Sequence, residues 1–117
     1  MGDFKKLKVW EHSKDLAVYI YSLTKSSDFK RDPGLRDQMQ RAAVSIPANI
    51  AEGDELGTNK LSIRHLNIAK GSVAELHTLL IISNEINYIS IETTEILLKE
   101  CNIISIMLYK LIQARTP

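Results

Sequence analysis

The period of its apolar residues constrains this chain most. Apolar side chains recur every three or four residues through four helix-length stretches. Lys8 to Lys25 carries Leu16, Ile20 and Leu23, and Leu35 to Glu52 carries Leu35, Met39, Ala42, Ile46 and Ile50. Lys60 to Ile86 carries Leu66, Ala69, Val73, Leu76 and Leu80, and Ile91 to Ala114 carries Leu97, Cys101, Ile104, Leu108 and Leu111. The breaks hold turn chemistry: Ser26-Ser27-Asp28 with Asp32-Pro33-Gly34, the polar run Gly53 to Asn59 with Gly53 and Gly57, and Asn87-Tyr88-Ile89. Ser90 before the fourth run reads as an N-cap, with Glu92 in the first turn. Amphipathic helices joined by short loops pack most simply as an all-α, antiparallel up-down-up-down four-helix bundle, here a single domain over residues 1–117. Pro47 removes a backbone donor inside the second run, which predicts a helix kinked near Ala43 to Ser45. Ile46 and Ile50 stay in phase across it, which favours one helix over two.

Composition narrows the class further. With 117 residues, 44% of them apolar and 25% charged, the chain has material for one real core and a normal solvated surface. Fifteen Lys+Arg against 14 Asp+Glu leave a formal charge of +1, which argues against histone-like non-specific DNA binding. A single cysteine, Cys101, forms no intrachain disulfide, and a reducing compartment follows most simply. No apolar h-region follows Met1 to Lys8, and the longest aliphatic run is Leu79-Leu80-Ile81-Ile82. A soluble, cytoplasmic protein without a membrane partner is expected.

The apolar arcs are too wide for an isolated bundle. In the third run Leu61, Ile68 and Leu79 form a second stripe beside the Leu66-Val73-Leu80 line. In the fourth, Ile96 and Ile103 lie about 90–110° to one side of the core stripe, Leu98 about 110° to the other, and Ile106 nearly opposite. Contiguous exposed apolar surface of this kind marks an interface, so self-association is expected through Leu61, Ile68, Leu79, Ile96 and Ile103.

No constellation of residues points to catalysis, a metal or a cofactor. His12, His65 and His77 are scattered without metal-ligand spacing, and on its helix phase His77 reads as a half-buried packing residue. Cys101 falls on an apolar face, where a thiol is inert. Ser45 lacks the glycines of a nucleophile elbow, and Gly53 to Thr58 lacks the spacing and lysine of a phosphate loop. Glu52, Asp54 and Glu55 read as a solvated acidic loop. Glu100, on the apolar side of its helix, reads as a boundary residue paired with a lysine or arginine, or as half of an inter-subunit ion pair. The chain is therefore expected not to be an enzyme.

Two polar features remain. Residues 1–41 hold nine Lys+Arg and six Asp+Glu, a net +3, concentrated in Lys5, Lys6 and Lys8 beside Trp10 and in Lys30-Arg31. Lysines on phosphates with a base stacked on Trp10 would make a minimal RNA contact, although Trp10 opens an apolar stripe and reads better as packing. In the second run Gln38, Ser45 and Asn49 lie within about 60° of Ala42 on the inward side, a row that demands hydrogen-bonding partners. Gly71-Ser72 interrupts helical propensity in the third run, consistent with close approach of another helix or subunit.

The segment Arg41-Ala-Ala-Val-Ser-Ile-Pro-Ala-Asn-Ile-Ala-Glu-Gly53, with Ile68-Ala-Lys-Gly-Ser-Val-Ala-Glu-Leu76, closely resembles the four-helix-bundle 23S rRNA intervening-sequence proteins. Phe4-Lys-Lys-Leu-Lys-Val-Trp10, Ala17 and Gln38 fit the same pattern, and the resemblance runs from Phe4 to about Ile112. It implies a bundle that assembles as a ring-like homopentamer without enzymatic activity, with RNA or an RNA-associated protein as a candidate further partner; a structural protein–protein module without nucleic-acid affinity is the alternative. The matching motif positions are Gln38, Ser45, Asn49, Glu52, Gly53, Gly71, Ser72 and Glu75. The sequence departs from the family pattern at the acidic Asp54-Glu55-Leu56-Gly57 and at His65, where an aromatic is common.

Overall fold

A computed structural model describes residues 3–56 and 58–117; Gly57, Met1 and Gly2 lie outside the described residues. A single 3-10 turn, Phe4–Lys6, leads into α1 (Lys8–Leu23), followed by a one-turn helix α2 (Ser27–Lys30) and the long helices α3 (Pro33–Glu55), α4 (Asn59–Glu85) and α5 (Ile91–Arg115). The four long helices alternate in direction and form the antiparallel bundle that their apolar period predicts. The bundle is elongated, 45 × 21 × 20 Å.

Local chemistry sets the helix ends. Asp32 accepts the Leu35 N–H at 3.2 Å before Pro33, a residue suited to the first turn because it needs no donor there. Thr58 caps α4 through the Leu61 N–H, and Ser90 caps α5 through the Thr93 N–H, as its position predicts. The α4–α5 reversal runs through Asn87 at φ 66°, a left-handed conformation that asparagine tolerates. The Tyr88 N–H then reaches back to the Ser83 carbonyl at 2.8 Å, closing the helix end.

Each long helix packs against two others: α1 on α3, α3 on α4, α4 on α5, and α5 back on α1, with diagonal backbones held apart by the core. The α1–α5 seam is the loosest. Ile20, Met39, Ile46, Leu66, Leu80 and Ile104 are fully buried at the centre. Each such side chain contributes roughly 1.5–3 kcal/mol relative to exposure.

Three observations depart from the sequence reading. The first break is not only a turn: Phe29 on α2 is fully buried and meets the Tyr88 ring edge-on at 5.3 Å, plugging one end of the bundle. Helix α3 is a single helix through Pro47, as the phase of Ile46 and Ile50 favours, but it continues three residues beyond Glu52. Asp54 therefore lies in a helix, buried, and not in a solvated acidic loop. No described helix is long and apolar enough to cross a membrane.

Candidate interaction surface

The polar row on α3 finds its partners on α4. One turn of helix separates Ser45 from Asn49, so the Asn49 amide donates to both the Ser45 carbonyl (2.8 Å) and its hydroxyl (3.0 Å). From α4, the buried Ser72 hydroxyl donates to Ser45 Oγ at 2.9 Å. His65, two turns from Ser72 on the same face, sets Nδ1 3.0 Å from Asn49 Oδ1 and 3.2 Å from Glu52 Oε2. Both neighbours are acceptors, which assigns the ring proton to Nδ1. The residues form a continuous polar seam between α3 and α4, half-buried apart from the exposed Glu52.

Gly53 explains how the helices come so close beneath this seam. A Cβ there would stand 3.1 Å from the Ser62 carbonyl oxygen and 3.2 Å from His65 Cβ, so α3 and α4 cross with backbone against backbone. The other motif positions do not join the network. Gln38 is exposed, a correction to its inward assignment: it shares a helix edge with Ser45, but no hydrogen-bond partner among the described residues meets it there. Gly71 is exposed with nothing near its missing side chain, so it serves no close approach within the chain, and Glu75 is also exposed.

The apolar stripes divide. Leu79 is 6% exposed and belongs to the buried core cluster, a correction to its place in the outer stripe. Leu61 (42%) and Ile68 (43%) stay exposed along the outer edge of the α3–α4 seam. On the opposite side of the bundle Ile96 is 66% exposed and Ile103 half-buried. There α1 and α5 leave a groove of about 420 Å³ lined by His12, Asp15, Leu16, Tyr19, Ile96, Leu97 and Glu100. Glu100 faces His12 at 3.6 Å, so its neighbour is a histidine of its own chain and not the expected lysine or arginine.

The basic residues do not converge. Lys5, Lys6 and Lys8 sit where α1 begins, at the bundle end that also holds Arg115, while Lys30 and Arg31 sit on and beside α2 at the other end. Arg31 is also paired with Asp28 at 3.0 Å. Trp10 is half-buried, with Phe4 edge-on at 5.2 Å and the Lys14 ammonium 6.0 Å over its ring. The ring is thus in part engaged by its own chain.

Cys101 is buried at the floor of a cleft of about 260 Å³ shared with half-buried His77, and burial pushes its thiol up to about 12. A thiol so protonated is no nucleophile. No group of three or more His, Cys, Asp or Glu among the described residues is placed to hold a metal ion.

One cluster escaped the sequence reading. Arg115 near the end of α5 donates to buried Asp54 of α3 at 2.8 Å and to Ser62 of α4 at 2.5 Å, tying three helices together. The signal was present: Asp54 follows Ile50 by four residues and so stays in phase with the core stripe.

These features define a small antiparallel helical bundle held by an aliphatic core, a polar α3–α4 seam and a buried ion pair. The profile of the 23S rRNA-intervening sequence proteins matches residues 5–110, and the chain belongs to that family. A crystal structure of a protein of unknown function from the S23 ribosomal protein family of Bacteroides thetaiotaomicron superposes with a TM-score of 0.84. It is 28% identical, over 89% of this chain and 97% of that one. No curated protein matches the sequence.

Proposed function

We propose that the protein is a non-catalytic, cytoplasmic interaction module that works as a homo-oligomer, a pentamer by family resemblance, and that the assembly contacts structured RNA or an RNA-bound protein. The observation that carries the self-association reading is the exposure of Leu61, Ile68 and Ile96 on opposite faces of a bundle whose core is already full. Apolar residues in such numbers are costly in water and favour a protein partner. The name of the matching family, 23S rRNA-intervening sequence protein, supports RNA as the context.

A second reading has its own support. The near-neutral charge and the separation of Lys5, Lys6 and Lys8 from Lys30 and Arg31 favour a protein–protein module without nucleic-acid affinity. A gel shift with 23S rRNA fragments across a salt series separates the two. RNA contact through lysines gives a shift at low salt that weakens steeply as salt is added. Absence of any shift at low salt leaves the protein–protein reading.

A further inference from the structure

The two polar edges of α4 are used differently. Toward α3, Ser72 and His65 meet Ser45, Asn49 and Glu52, so the polar groups there pair within the chain. Toward α5 they do not. Lys70 and His77, two turns apart on α4, line the cleft of about 260 Å³ together with Asn102 and Ser105 of α5, beside Val73, Ala74 and Cys101. Lys70, His77 and Ser105 are half-buried. Nearby Asn67, Thr78 and Gln113 donate to the Ile63 carbonyl, the Ala74 carbonyl and the Tyr109 hydroxyl. The four polar groups of the cleft have no hydrogen-bond or ion-pair partner among the described residues; the Lys70 ammonium lies 5.5 Å from the centre of the Tyr109 ring.

This lining offers donors and no carboxylate. An ammonium, an imidazole, an amide and a hydroxyl can each donate a hydrogen bond. Cys101 adds no negative charge, because its buried thiol stays protonated at neutral pH. The neighbouring acids lie elsewhere. Glu100 faces His12 on the α1 side, Glu95 stands two turns before Asn102 and outside the lining, and Glu75 lies about 140° around α4 from Lys70. A half-enclosed cleft of donors around one cation is complementary to an oxyanion, whose oxygens only accept. We propose that the α4–α5 cleft binds the phosphate group of a nucleotide, with Lys70, His77, Asn102 and Ser105 as donors. The cleft is larger than a bare phosphate, and Val73 and Ala74 give the attached sugar an apolar wall. An RNA backbone and a free nucleotide present the same group. With RNA as the source the site deepens the RNA reading and rests on it; with a free nucleotide it stands alone.

Two measurements on the full chain test the site with the variants Lys70→Gln and Asn102→Asp. Asn102 is exposed and its replacement nearly isosteric, so that variant keeps its helices, which circular dichroism checks. A short fluorescein-labelled single-stranded RNA, followed by anisotropy at low salt, should bind about tenfold more weakly to either variant. Adenosine monophosphate should raise the melting temperature of the wild-type chain where adenosine does not, and the rise should vanish in both variants. Stabilisation by the monophosphate without RNA binding supports the cleft, makes a free nucleotide its source and overturns the RNA reading alone. RNA binding that both variants keep, and that is lost on replacing Lys5, Lys6 and Lys8, overturns the cleft and leaves the RNA reading standing. A melting shift shared by adenosine or by the variants overturns the cleft as well. Neither RNA binding nor stabilisation overturns both.

Discussion

The Asp54 carboxylate and the Arg115 guanidinium, 61 residues apart in sequence, meet at 2.8 Å where α3, α4 and α5 converge. Asp54 is nearly sealed from water, and its second oxygen, Oδ2, has no hydrogen-bond partner among the described residues. Arg115 is its ion-pair partner among the described residues. Arg115→Met should destabilise the chain by about 3 kcal/mol, because removing one partner of a buried pair strands the other. Asp54→Leu combined with Arg115→Met should recover much of that loss, read as the midpoint of urea unfolding.

The polar seam predicts a smaller effect. Asn49→Leu removes two hydrogen bonds to Ser45 and one of the two acceptors that face His65. Leaving these half-buried groups unsatisfied should cost about 1–3 kcal/mol in the same measurement.

The two motif glycines should respond oppositely. Gly53→Leu forces a side chain against the Ser62 backbone and should destabilise by about 1–3 kcal/mol through overpacking. Gly71→Ala enters open space in the chain and should stabilise the helix by up to about 1 kcal/mol. Thermal melts of the two variants check the contrast.

Cys101 links stability to alkaline pH. Burial raises its folded-state value to about 12, above the 9.0 of an ordinary thiol, so the unfolded chain releases the proton first. The associated stability is complete below about pH 9 and is lost as pH rises from there toward 12. Cys101→Ala should flatten that part of the profile, measured by urea unfolding across pH. A thiol reagent should label the native chain far more slowly than the unfolded one.

The helices were legible because one stripe of each repeats every three or four residues through Leu16–Ile20, Met39–Ile46, Leu66–Leu80 and Leu97–Leu108. Ser45 and Asn49 were legible as residues in need of partners, but not that Ser72 and His65 supply them, because that depends on the register of α3 on α4. Leu79 and Gln38 were misassigned for the same reason: both lie near the border between core and surface, where the neighbouring helix decides exposure. Phe29 hid in a segment too short to show a period. Asp54 hid because acidic neighbours made a helix end look like a loop.

The central claim is that the exposed apolar residues on opposite faces are covered by further copies of the chain. Size exclusion coupled to light scattering at micromolar concentration tests it most directly, because it gives mass without assuming shape. The account predicts a single species at a fixed multiple of the 13.2 kDa chain mass, five copies by family resemblance, that holds across a dilution series. A sole peak at 13.2 kDa would contradict it.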